Sequence, residues 1–217
     1  MRAMILAAGR GERMGTLVNE IPKVLLPIHG KALIEYHLEN LQRADVTDVV
    51  INLHYLPEKI IEKLGDGAQY GLTIHYSPEA ELLGLGGGVH NALPLLGDEP
   101  FLVISGDMWT DYEFANLPKK IESVAHIVLV DNPTFHPEGD YSLDDYFVTA
   151  PAEQTYNYAG FGVFTPELFK KAGPGSYGIK KLLDGSIANK KVSGEYFSGR
   201  WANLNTPAEL DKIREQL

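Results

Sequence analysis

The chain has 217 residues, 44% of them hydrophobic and 22% charged, with a formal net charge of −10 and no cysteine. That size and balance suit one globular domain with a full core, and the acidic excess argues against nucleic acid or an anionic membrane surface as partner, since both are held through Lys and Arg contacts to phosphates. Disulfides, thiolate nucleophiles and thiolate metal ligands are excluded, which suits a cytoplasmic location; no run approaches the roughly 18 apolar residues of a membrane span, and no secretory leader is expected.

Met1 to Met14 reads as a buried strand, Met4 to Ala8, that runs into a glycine-rich loop in which Gly9 and Gly11 flank Arg10 and Arg13 follows closely. Pro22 and Lys23 come next. Glycine has no side chain to hold a ligand off, so such a loop brings bare N–H groups and cations up to a phosphate chain. The expected elements then alternate: helix Leu33 to Arg43 with a stripe of Ile34, Leu38 and Leu41, strand Val49 to Leu53, helix Pro57 to Leu64, strand Leu72 to Tyr76, helix Val89 to Leu96, strand Phe101 to Ile104, helix Tyr112 to Glu122 with Asp111 as its N-cap, and strand Ile127 to Val130. Over roughly the first 130 residues this rhythm implies parallel strands with helical crossovers and a ligand beyond the strands' C-terminal ends. After Asn132 the breakers Pro133, Pro137 and Gly139 change the pattern. Antiparallel strands are expected within Tyr141 to Ala150, a strand at Tyr158 to Phe164, helices at Pro166 to Ala172 and Tyr177 to Ile187, a strand at Val192 to Phe197 and a closing helix at Pro207 to Leu217. The second half reads as a smaller lobe on the same sheet, facing the phosphate loop across a cleft.

Spacing separates the phosphate-binding loops. A dinucleotide loop needs G-x-G-x-x-G, but after Gly9 and Gly11 the next glycine, Gly15, falls one position late; a P-loop needs G-K-[ST], but Gly30-Lys31 is followed by Ala32. What remains is Leu6-Ala7-Ala8-Gly9-Arg10-Gly11-Glu12-Arg13-Met14, then Pro22-Lys23 and Leu26-Pro27. This resembles the sugar-1-phosphate nucleotidylyltransferase signature L-A-A-G-x-G-x-R-[ML] followed by P-K-x-L-x-P. Tyr76-Ser77-Pro78-Glu79, Gly86-Gly87-Gly88, Gly106-Asp107 and Val192 to Glu195 extend the likeness over most of the chain, toward a uridylyltransferase branch of cell-wall recycling. The resemblance implies a Rossmann-like three-layer α/β/α sandwich with a mixed, mostly parallel sheet. It implies one nucleotidyltransferase domain over 1–217, with a nucleotide-binding half to about residue 132 and a sugar-binding half beyond.

The implied reaction joins UTP and a sugar 1-phosphate, N-acetylmuramate 1-phosphate foremost, with Mg²⁺ as cofactor. Ala8, Gly9, Gly11 and Glu12 are expected to wrap the nucleotide, and Arg13 and Lys23 to take phosphate charge. Gly86 to Gly88, ahead of a helix, are expected close to the base, with Gly87 and Gly88 in contact. Asp107, beyond a strand end, is the expected Mg²⁺ ligand, a hard oxygen donor of the kind the ion prefers. Asp140 and Trp201 are the implied sugar contacts. The seven histidines show no zinc-ligand spacing.

Three positions depart from the family pattern. Trp201-Ala202-Asn203-Leu204-Asn205-Thr206 has Asn203 where W-x-D-x-G-T has its metal-binding aspartate; Leu83-Gly84-Leu85 replaces L-E-T; and Gly178 stands where a lysine is expected, with Lys180 and Lys181 nearby. They leave open another base, a hexose, heptose or phosphocholine acceptor, and a nucleotide or sugar-phosphate binding protein with weak catalysis.

Overall fold

The computed structural model describes residues 1–217. Its strands are β1 (Ala3–Leu6), β2 (Pro27–Ile28), β3 (Lys31–Ala32), β4 (Asp48–Leu53), β5 (Thr73–Pro78), β6 (Phe101–Ser105), β7 (Met108–Thr110), β8 (Ala125–Val130), β9 (Ser142–Asp144), β10 (Phe147–Thr149), β11 (Asn157–Phe164), β12 (Val192–Tyr196) and β13 (Trp201–Asn203). Its helices are α1 (Leu33–Arg43), α2 (Pro57–Leu64), α3 (Gly84–Leu96), α4 (Pro166–Ala172), α5 (Ile179–Ile187) and α6 (Pro207–Gln216).

Nine strands form one mixed sheet in the order β5-β4-β1-β6-β11-β8-β12-β10-β9. The first four run parallel, β11 is antiparallel to both β6 and β8, and β12 is parallel to β8. The period-2 rule assigns the layers: on β1, Ala3 and Ile5 face a core shared with Ile34, Leu38 and Leu41 of α1 and Ile60 and Leu64 of α2, while Met4 and Leu6 face a core shared with α3, α4 and α5. Each such fully buried aliphatic side chain stabilises by about 1.5–3 kcal/mol relative to exposure. The three-layer α/β/α sandwich is the expected fold class.

A third cluster joins Met14 and Val18, just past the glycine loop, to Leu26 and Ile28, to Trp109, and to Leu210 and Ile213 of α6. The Arg214 guanidinium adds hydrogen bonds to the Pro27 carbonyl at 2.8 and 3.1 Å. The chain's final helix therefore braces its first loop.

Three expected helices differ. No helix forms over Tyr112 to Glu122; Met108–Thr110 is a strand and only a 3₁₀ turn follows at Phe114–Asn116. Pro118 lies inside the expected span and holds Leu117 extended before it (φ −64°, ψ 142°), and Asn40 of α1 pins the segment in its non-helical path, its amide donating to the Tyr112 carbonyl (2.7 Å) and accepting from the Phe114 N–H (3.1 Å). Asp111 caps nothing and instead accepts from the Arg200 N–H (2.8 Å) and Nε (3.0 Å). The triple glycine also lies inside α3, which starts at Gly84 rather than at Val89, and α5 starts at Ile179 rather than at Tyr177. No helix is long and apolar enough to cross a membrane.

Candidate active site

A cavity of about 430 Å³ opens beyond the C-terminal ends of β5, β4, β1 and β6. Ala8, Gly9, Gly11, Glu12 and Arg13 form one wall, and Lys23 and Asp107 lie with them in the lining. Gly11 has φ 66°, a left-handed conformation that favours glycine, and a Cβ there would stand 3.1 Å from Lys23 Cβ. A side chain at that position would be strained and would press on the lysine stem, so glycine suits the close approach of the loop to Lys23.

Lys23 enters through Pro22 (φ −54°) at the start of a short 3₁₀ turn. It is 7% exposed, and its Nζ donates to Asp107 Oδ2 and to Asn205 Oδ1, both at 2.8 Å. A buried ammonium is costly unless paired and hydrogen-bonded, and this one is both. Asp107 keeps 38% of its side chain exposed, leaving it accessible from the cavity. Antiparallel pairing of β7 with β13 and the Leu204 N–H bond to the Asp107 carbonyl (2.9 Å) carry Asn205 to the lysine.

Toward β5 the lining changes character. The Ala7 N–H donates to Asn52 Oδ1 (2.7 Å), Asn52 Nδ2 donates to Glu79 Oε1 (2.7 Å), and Glu79 Oε2 accepts from the Leu83 N–H (3.1 Å). This buried chain of bonds fixes the base of the glycine loop against β4 and the segment after β5. Leu82 and Leu85 complete that end with apolar side chains that stay 40% and 41% exposed.

Behind the Asp107 turn sits His37 of α1, 2% exposed, with no partner for Nε2 and its ring stacked on Phe114 at 6.4 Å. Burial pushes its pKa down to about 4, against the opposing pull of the Asp107 charge and of the Met108 and Gly106 carbonyls.

The other expected site residues lie outside the cavity lining. Gly87 and Gly88 serve internal packing: a Cβ at Gly88 would stand 2.7 Å from Glu79 Oε1, and one at Gly87 2.0 Å from the Gly175 carbonyl oxygen. The expectation that the run stands ahead of a helix and offers its N-terminus is corrected, because the Tyr177 carbonyl already accepts from the Gly86 and Gly87 N–H groups. Asp140 Oδ2 accepts from the Tyr158 N–H (3.0 Å), and Trp201 Nε1 donates to the Ala159 carbonyl (2.8 Å). Both thus hold the first residues of β11, which, being antiparallel, sit at the cavity end of the sheet next to β6. Asn203 pairs with Met108, and its Oδ1 is buried without a partner. Asn52, Glu79 and Asn205 are site residues that the sequence reading did not single out. The available signals were a lone asparagine near the end of an apolar strand and a second asparagine two positions after Asn203.

A glycine loop at a parallel strand end and a buried lysine shared between a carboxylate and an amide make a cleft suited to a phosphate-bearing ligand, the kind of site a nucleotidyltransferase uses. The chain belongs to the nucleotidyl transferase family, whose model, described as Nucleotidyl transferase, matches residues 2–143. It is 42% identical to the N-acetylmuramate alpha-1-phosphate uridylyltransferase of Neisseria meningitidis serogroup B, over 99% of this chain and 97% of that protein. It is 30% identical to the enzyme of the same name from Caulobacter vibrioides, over 94% and 92%. Among solved structures, HddC from Yersinia pseudotuberculosis complexed with GMP-PN superposes with a TM-score of 0.82 at 20% identity, covering 99% of this chain and 98% of that one. UDP-glucose pyrophosphorylase complexed with UDP-glucose gives 0.79 at 18% identity, covering 99% and 97%, a likeness of fold.

Proposed function

We propose that the protein joins UTP to N-acetylmuramate 1-phosphate, releasing pyrophosphate and forming the UDP-sugar, as a cytoplasmic step of cell-wall recycling. The shared name of two relatives that match along nearly their whole length supports the substrate pair. The observation that carries the chemistry is Lys23 held between Asp107 and Asn205 beside the glycine loop.

The nucleophile is a sugar-phosphate oxygen, already anionic at neutral pH, so the site needs no general base. That oxygen bonds to the α-phosphorus while the bond from the α-phosphorus to the bridging oxygen breaks, and pyrophosphate carries the electron pair away. Catalysis then rests on alignment and charge neutralisation. The backbone of Ala8 to Arg13 cradles the triphosphate, Glu12 stands in the same wall, and Arg13 and Lys23 offset the charge. The base lies toward Glu79, Leu82 and Leu85, the end without cations. The sugar extends past β6 toward Asp140 and Trp201 at the near end of β11. Gly87 and Gly88 act on the nucleotide through the packing of α3.

The donor set fits Mg²⁺: a partly open carboxylate at Asp107 and a buried amide oxygen at Asn203 that has no other partner. When bound, the ion would supply charge neutralisation and a template for phosphate oxygens. Pyrophosphate release, measured for each nucleoside triphosphate against a panel of sugar 1-phosphates with and without Mg²⁺, tests the reading; absence of turnover with UTP on every acceptor overturns it. Asn203 motivates a second reading, binding without turnover. An inactive wild type beside an active Asn203→Asp variant would establish that reading.

A further inference from the structure

Glycine costs a helix about 1 kcal/mol per residue relative to alanine, yet α3 opens with Gly84, Gly86, Gly87 and Gly88. A second segment of chain accounts for three of them. Residues 173–178, between α4 and α5, lie across the first turn of α3. The Tyr177 carbonyl accepts from the Gly86 N–H (3.0 Å) and the Gly87 N–H (3.3 Å), and the Tyr177 N–H donates to the Leu83 carbonyl (2.9 Å). Ser176 Oγ donates to the Leu82 carbonyl (3.1 Å), and the Tyr177 hydroxyl donates to the Gly173 carbonyl (3.0 Å), closing the loop on itself. A Cβ at Gly84 would stand 2.7 Å from the Tyr177 carbonyl oxygen, one at Gly86 2.5 Å from the Tyr177 ring, and one at Gly87 2.0 Å from the Gly175 carbonyl oxygen. The glycines give room to this loop, and two of the orphan N–H groups of the helix start, those of Gly86 and Gly87, are satisfied by the protein itself.

The clasped residues form one end of the cavity. Leu82, Gly84 and Leu85 line it at the β5 side, three strand spacings or roughly 15 Å from the β6 side that carries Asp107. With the phosphates at Lys23 and Arg13, a flat base falls under this apolar lip. Leu82 and Leu85 supply no polar side-chain atoms, so discrimination there depends on where the main chain of the lip stands.

We propose that Tyr177 is a positioning residue for the nucleotide base: the 173–178 loop, clasped to the glycine run, sets the height and register of the Leu82–Leu85 lip over the base. The inference rests on the triphosphate binding proposed above.

A double-mutant cycle tests it. Gly86→Ala drives a methyl into the Tyr177 ring, Tyr177→Ala removes the ring, and in the double variant the methyl occupies the space the ring left. Each single variant is expected to raise the KM for UTP about tenfold, about 1.4 kcal/mol, with kcat and the KM for the sugar 1-phosphate little changed. The preference for UTP over GTP should fall, and the double variant should recover much of the loss. Hydrogen exchange should show amides of residues 83–87 and 173–178 losing protection together in the single variants. If Gly86→Ala does not fold, Tyr177→Ala and Ser176→Ala carry the test. Unchanged UTP binding in variants whose loop has come away, or losses that simply add in the double variant, would overturn the proposal alone. A wild type that binds no triphosphate would overturn it together with the proposed function.

Discussion

The two ends of the sheet's ligand edge use their polar groups differently. Around β1, β4 and β6, Asn52, Glu79, Lys23, Asp107 and Asn205 bond to one another while lining the cavity. Around β11, Asp140 and Trp201 bond to the backbone of that strand and lie outside the cavity lining. The first end is braced by bonds between side chains, the second by single bonds from a side chain to the main chain of β11. Preorganised charge is what phosphoryl transfer demands, and under the proposed function the more interconnected construction falls where the phosphates would bind.

The largest effect expected from this contrast is at Lys23. Lys23→Ala should lower turnover by about 10²–10³, as for loss of a preorganised transition-state donor, read by initial rates of pyrophosphate release with melting followed in parallel. A loss of only a few-fold would show that the ordered end is not the catalytic one.

His37 sharpens the contrast through pH. Its ring stays neutral when folded but binds a proton in the unfolded chain between about pH 6.5 and pH 4, so the unfolded state gains protons in that window. Stability is therefore full above the window, declines as pH falls through it, and levels off below, a loss of about 3 kcal/mol at most. Urea unfolding across pH 4–7 should show this slope in the wild type and a flatter one in His37→Gln.

Asn52→Ala should strip partners from the Ala7 N–H and Glu79 Oε1 and cost roughly 1–3 kcal/mol of stability, visible as a lower urea midpoint with unchanged slope. The smallest effect belongs to the far end. Asp140→Ala should raise the KM for the sugar 1-phosphate by no more than about tenfold, with the KM for UTP unchanged, and a change confined to UTP would reverse the assignment of the two ends.

Much of the fold was legible because local signals and burial agree. The apolar stripe of α1 and the prolines that open α2 and α4 fix those helices at the residues their sequence suggests. Tyr112 to Glu122 was legible only in part: Pro118 is a local breaker inside the span, whereas Asn40, which pins the segment, lies 72 residues from Tyr112. The same division holds in the site. Gly9, Gly11, Arg13, Lys23 and Asp107 announce themselves by type and spacing. Asn52 joins them only because its strand pairs with β1 in the register Leu6 to Asn52, and Asn205 only because β13 folds back on β7. Gly86 to Gly88 carried a true signal of close approach, but what approaches is the 173–178 loop at Gly86 and Gly87 and the Glu79 carboxylate at Gly88.

The brace between α6 and the segment after the glycine loop has a consequence for synthesis on the ribosome. Leu210 and Ile213 back Met14 and Val18, and Asn205 secures Lys23, so the segment after the glycine loop acquires its packed shape only once residues 182 or more positions downstream have emerged. A nascent chain paused before α6 would lack the partners that back this segment, and nicking the α6 connection in the folded protein should lower turnover while leaving most of its secondary structure in place.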